Sequence, residues 1–240
     1  MRFKALLSLL IAIVFAGAAA AQITSPPPAP PLDPENTWLL DLSTGGRVAI
    51  QLRPDVAPKM VERIKVLTRR GFYNGLAFHR VIDGFMAQGG DPKGNGTGGS
   101  DLPDVAAEFN GLPHVRGAVA AARAENPNSA NSQFYIMFAP KLTLDGNYTV
   151  FGRVVSGMSF VDALNRGEPP APPSTIVQAS IAADHVAPPA PGAAQAAPPP
   201  VGNTVMLPPG QAHAAGPAVP PPPSSRIPEP TPKKPAPRHE

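Results

Sequence analysis

Cysteine is absent from the 240 residues. That excludes a disulfide scaffold, a zinc–thiolate site, a catalytic thiol and a lipid-modified N-terminal cysteine together. It also leaves the chain indifferent to an oxidising compartment. Charge is sparse, with 20 Lys and Arg against 17 Asp and Glu. No basic stripe with interleaved aromatics appears, so nucleic acid is not an expected partner. The histidines show no ligand spacing, and there is neither a GxSxG elbow nor a Walker loop. Gly94 to Gly99 matches GxGxxG only formally. Asp91-Pro92 precedes it and Ser100-Asp101-Leu102-Pro103 follows, where a dinucleotide site needs a strand and a helix. A loop is expected there. No metal and no cofactor is implied.

Only one long apolar run exists, Ala5 to Ala16. It follows Arg2 and Lys4, precedes Ala19-Ala20-Ala21, and falls short of the roughly 20 residues of a membrane span. This is the pattern of a secretory signal peptide over residues 1–21. A periplasmic or secreted location is expected, with no stable membrane span after cleavage. Proline is abundant, at 35 residues, but unevenly placed. Residues 22–35 read as a Pro-rich linker. Residues 185–240, rich in proline and alanine, cannot bury enough apolar surface to fold and read as a disordered tail.

Between them, residues 36–184 carry the periodicity of a folded domain. Trp38 to Leu42 and Arg47 to Leu52 are strand-like, joined by Ser43-Thr44-Gly45-Gly46. A helix is expected from about Pro58, with Val61, Ile64 and Leu67 on one face and Arg69-Arg70-Gly71 ending it. Further strand-like runs are 77–81, 85–88, 118–122, 134–137, 150–155 and 175–183, with a short helix over 159–166. Many short strands and few helices point to a sandwich or barrel.

The most informative stretch is Phe78 to Asp91, FHRVIDGFMAQGGD. It sets a permanent cation, Arg80, among apolar residues and follows them with an amide, Gln88. That chemistry suits a reaction in which no bond to the protein forms. His79, alternating with apolar neighbours, is expected to be structural. The stretch resembles the signature of cyclophilins, the cyclosporin-binding family of peptidyl-prolyl cis-trans isomerases. Asn95 to Gly99, then Ala120 to Ala124 with Asn131 to Ile136, then Leu144 to Val154 resemble the family's later blocks, in order.

The resemblance implies a mainly β fold: a closed eight-stranded antiparallel β-barrel capped by two helices, with the substrate groove on its outer face. It implies Arg80 as the catalytic residue and Phe85, Met86, Tyr135 and Leu144 as the proline pocket. Gln88 and Gln133 would be polar groove residues, and Ala122 and Arg123 would pair with the residue before the proline. Three positions depart from the animal pattern. Thr143 replaces a tryptophan, implying weak cyclosporin sensitivity. Tyr148 replaces a histidine of the pocket. Tyr135 replaces a phenylalanine and adds a hydroxyl that needs a partner. The expected protein is a monomeric isomerase acting on proline-containing polypeptide clients and assisting the folding of exported proteins. The rival expectation is a non-catalytic proline-peptide-binding module or chaperone tethered by its tail.

Overall fold

The structure is a computed structural model and describes residues 32–190. The expected signal peptide, most of the linker and nearly all of the tail lie outside the described residues. Eight strands and two helices follow one another as β1 (Thr37–Leu42), β2 (Gly46–Leu52), α1 (Pro58–Arg69), β3 (Arg80–Ile82), β4 (Met86–Gly89), β5 (Ala118–Ala121), β6 (Phe134–Met137), β7 (Val150–Ser156), α2 (Met158–Asp162) and β8 (Ile176–Ile181).

Every pairing is antiparallel, in the order β3-β4-β6-β5-β7-β2-β1-β8. The sheet curls until its edges, β3 and β8, are joined through short bridges at Ala77–Thr175 and Val81–Gly167. The seam is therefore stitched by bridges rather than by a full ladder. This explains why β3 begins at Arg80 instead of Ala77. The residues before it pair across the seam, Phe78 N–H donating to the Ser174 carbonyl at 2.9 Å, and not with β4.

Side-chain alternation decides what faces inward. Trp38, Leu40 and Leu42 of β1, Val48, Ile50 and Leu52 of β2, and Phe134 and Ile136 of β6 fill the interior. Helix α1 adds Met60, Val61, Ile64 and Leu67 to the same core. Its first turn begins at Pro58, where a missing N–H costs nothing. No neighbouring side chain caps it. The Glu108 carboxylate does so from afar, accepting from the N–H groups of Lys59 (3.0 Å) and Met60 (2.9 Å).

Helix α2 stops at Asp162, short of the expected Arg166. Arg166 instead turns its Nη1 back onto the carbonyls of Asp162 (2.9 Å) and Leu164 (2.5 Å). The chain then breaks toward β3, where Gly167 meets Val81.

Candidate active site

Strands β4, β5 and β6 are buried on both faces. Their inward residues join the main core. Their outward residues, Met86, Ala118, Ala120, Tyr135 and Met137, form a second apolar cluster with Phe85, Ala122, Leu144, Tyr148 and Val150. All the apolar residues expected to grip a proline are in this second cluster. It lies outside the barrel because the strand period of two places Tyr135 opposite in direction to Phe134 and Ile136.

The register lines up the polar groups beside it. Arg80 is opposite Gln88, Gln88 is opposite Tyr135, and Tyr135 is opposite Ala120. One transverse row thus carries the cation, the amide and the pocket floor on the same face. Arg80 is nearly buried, and its Nε donates to Glu168 Oε2 at 2.6 Å. The carboxylate comes from the loop after α2 and carries no signal in the sequence pattern.

Gln88 is oriented by a chain of contacts that starts in the glycine-rich loop. The Asp91 carboxylate accepts from the backbone N–H groups of Lys93 (2.8 Å), Asn95 (3.1 Å) and Gly96 (2.6 Å). Burial alone would raise the Asp91 carboxyl. The converging N–H groups, Gly98 included, outweigh it and hold the carboxyl below its ordinary range. The N–H groups of Lys93, Asn95 and Gly96 are therefore committed to the chain's own carboxylate. Gly98 approaches so closely that a Cβ would lie 2.0 Å from Asp91 Oδ1.

The loop carbonyls of Gly96 and Gly98 accept from Gln133 Nε2 at 3.0 and 2.7 Å. Two carbonyl partners fix which end of the Gln133 amide is nitrogen. Its oxygen then receives Gln88 Nε2 at 2.9 Å. Gln88 Oε1 is left buried with no hydrogen-bond partner among the described residues. An acceptor left in that state costs free energy until a donor reaches it.

The Tyr135 hydroxyl finds its partner in His114, which the sequence pattern does not single out. Tyr135 Oη and His114 Nε2 are 3.0 Å apart, and His114 Nδ1 is 2.8 Å from Asp145 Oδ1. The same oxygen also accepts the His114 backbone N–H at 2.8 Å. Burial lowers the imidazole pKa more than the Asp145 carboxylate raises it, so the ring is neutral at pH 7. The carboxylate selects the Nδ1–H tautomer. Tyr135 therefore donates to Nε2, and burial pushes its own phenol pKa well up.

At the other end of the face, the Arg123 guanidinium is stacked 4.5 Å from the centre of the Tyr148 ring. Its Nη2 donates to the Asn147 carbonyl (2.9 Å) and its Nη1 to the carbonyls of Ala124 (2.8 Å) and Glu125 (3.1 Å). Tyr148 also meets Tyr135 edge to face at 5.9 Å. Burial raises the Tyr148 phenol pKa, and the charges of Arg123 and Arg80 oppose that rise. Ala122 closes the row with Gln133, its N–H donating to the Gln133 carbonyl at 3.0 Å. His79 is buried, with its Nε2 facing Gly96 of the loop. Among the described residues no group of three or more His, Cys, Asp or Glu could hold a metal.

A curled antiparallel barrel with a cation, an amide and an apolar notch on its outer wall defines a class of groove-bearing barrel proteins. The model for "cyclophilin type peptidyl-prolyl cis-trans isomerase" matches residues 39–181. A probable peptidyl-prolyl cis-trans isomerase of Brucella suis is 54% identical over 168 residues, covering 63% of this chain and 85% of its own length. Peptidyl-prolyl cis-trans isomerase B of Bacillus subtilis is 41% identical over 129 residues, covering 53% of this chain and 89% of itself.

Among solved structures, the cyclophilin AquaCyp293 of Hirschia baltica aligns with a TM-score of 0.60 and 31% identity. It covers 65% of this chain and 77% of that one. A Cryptosporidium parvum cyclophilin, solved in the presence of the dipeptide Ala-Pro, aligns with a TM-score of 0.57 and 27% identity, covering 60% and 98%. The chain belongs to the cyclophilin family of peptidyl-prolyl cis-trans isomerases.

Proposed function

We propose that this isomerase acts on X-Pro bonds of exported polypeptides and that Arg80 is its catalytic group. The observation that carries the reading is the transverse row, in which Arg80, Gln88 and Tyr135 share one face with the outer apolar cluster.

Uncatalysed prolyl isomerisation takes tens to hundreds of seconds, because a barrier of roughly 18–20 kcal/mol protects the amide's partial double bond. In the twisted transition state the nitrogen loses resonance and gains a lone pair. A donor aimed at that nitrogen stabilises the twisted form more than the planar one. The Arg80 guanidinium is such a donor, always charged and forked. A charge-assisted hydrogen bond contributes about 1.5–3 kcal/mol, or about ten- to a hundredfold in rate.

Phe85, Met86, Tyr135 and Leu144 hold the ring while the preceding carbonyl swings. Gln88 Oε1 accepts an N–H from the substrate backbone, which satisfies an acceptor otherwise left buried. Ala122 and Arg123 present the backbone that pairs with the residue before the proline. Gln133 keeps Gln88 in place, and Tyr148 with Arg123 walls the far end. This one chain supplies every one of these groups, so the reaction needs no second copy.

Export is supported by Arg2, Lys4, the Ala5 to Ala16 run and the alanines ending at Ala21, and by the lack of cysteine. Among the described residues no helix is long and apolar enough to cross a membrane.

Two measurements test the reading. Exchange NMR of an Ala-Pro peptide with the protein present should show cis–trans exchange faster than in buffer, with perturbed signals at Ala122, Arg123 and Tyr135. Perturbation confined to α1 would defeat the groove assignment. Cell fractionation with mass analysis of the N-terminus should find a chain beginning at Gln22 outside the cytoplasm. An intact Met1 in the cytoplasm would defeat export.

A further inference from the structure

We propose that Glu168 is a positioning residue for Arg80, its carboxylate holding Nε and so setting the plane of the guanidinium fork. The inference rests on the catalytic reading of Arg80, but its first consequence is structural and is measured without turnover.

Ion pairs on the surface are commonly worth little, because both long side chains lose freedom in high dielectric. This pair differs on the arginine side, whose side chain is 8% exposed, whereas that of Glu168 is 53% exposed. The backbone that delivers Glu168 is also fixed. Gly167 exchanges both hydrogen bonds with Val81, the residue next to Arg80, at 2.8 and 2.9 Å. At φ +149°, with a Cβ that would fall 2.7 Å from Pro170 Cα, only glycine fits there.

One residue earlier, Arg166 ties the loop to the β3–β4 turn through Asp83, Nε to Oδ1 at 3.1 Å, and lies 4.4 Å over the Phe138 ring. The loop is thus pinned at the two residues that immediately precede Glu168.

A free arginine side chain samples many rotamers, and its plane turns about the Cδ–Nε bond. An acceptor on Nε stops that rotation and sets the direction of the remaining N–H groups. Catalytic geometry is sensitive to such settings: a displacement of about 1 Å can cost on the order of a hundredfold. The Glu168 carboxylate reaches Arg80 across 88 residues of sequence. A glutamine there would keep an oxygen acceptor without the charge.

The test uses the full chain as wild type, Glu168→Ala and Glu168→Gln, and each substitution again with Arg80→Ala. Thermal midpoint and circular dichroism establish that every variant is folded. Glu168→Ala should lower kcat/KM for an Ala-Pro peptide about tenfold, mainly through kcat. Glu168→Gln should restore it to within about twofold, the oxygen acceptor being retained. Glu168→Ala should cost nothing further when Arg80 is already alanine, because it acts through that residue. The Arg80 Nε–H proton should exchange slowly with water in the wild type and in Glu168→Gln, and rapidly in Glu168→Ala.

Wild-type turnover by Glu168→Ala, unchanged Nε–H protection in it, or an equal loss in the Arg80→Ala background would each overturn the proposal. If Arg80→Ala itself turned over at the wild-type rate, the catalytic reading of Arg80 would fall and take the rate effect with it. The Nε–H exchange would still decide whether Glu168 holds the guanidinium.

Discussion

Single side chains here owe their roles to partners distant in sequence. Tyr135 shows this most clearly. Its hydroxyl donates to His114, which is fully buried and is held in turn by Asp145. Tyr135→Phe keeps the ring of the pocket floor but leaves Nε2 of His114 without a donor. We expect a loss of about 1–3 kcal/mol of stability, read from urea unfolding, with isomerase activity changed by no more than a few-fold. A stability equal to wild type would mean that the hydroxyl contact is not made in solution. The sequence shows that the Tyr135 hydroxyl needs a partner but not which one. Likewise Arg80 stands out within Phe78 to Asp91, whereas Glu168 does not, since their contact spans 88 residues.

At the scale of elements, the glycine-rich loop and α1 carry the clearest consequences. The loop is built on Asp91 and transmits its shape through Gln133 to Gln88. Gly98→Ala would drive a methyl into the Asp91 carboxylate, so the loop must shift and release Gln133. The expected outcome is a several-fold fall in kcat/KM with the core still folded, measured by peptide isomerisation beside circular dichroism. Helix α1 depends on Glu108 at its N-terminus. Glu108→Ala should cost about 1 kcal/mol, the usual scale for losing an N-terminal cap, as read by thermal unfolding. The loop character of Gly94 to Gly99 and the apolar face of α1 are legible from local pattern alone. The Glu108 cap is not, because it is supplied 48 residues away from Met60. The shortened α2 is equally hidden, since the chain after it pairs through Gly167 with Val81, which is distant in sequence.

For the whole molecule, all eight strands coincide with strand-like runs in the sequence, with ends displaced by a few residues. Their order in the sheet is not written locally, because β4 pairs with β6 and β5 with β7 across long connections. The family resemblance implies the closed eight-stranded barrel but not that order, and alternation then assigns each residue to the core or to the outer face.

The fold also has an acid response that sums over sites. Burial lowers the pKa of His79, aided by Arg80 and opposed by Asp91, and burial lowers that of His114. Above about pH 6.5, the ordinary histidine value, neither state binds these protons. Below it the unfolded chain takes them up more readily, so stability falls as pH drops toward the lower folded values. Asp91, held below its ordinary range, adds a second loss as pH falls below about 4. Urea midpoints from pH 7.5 to 5 should therefore decline, and a flat profile would place both histidines in solvent.

The most direct measurement is the catalysed rate of Ala-Pro isomerisation by the wild-type chain and by Arg80→Ala. With Arg80 donating to the twisted nitrogen, the variant should stay folded and lose about ten- to a hundredfold in kcat/KM. Equal rates for the two proteins would contradict a catalytic role for that guanidinium.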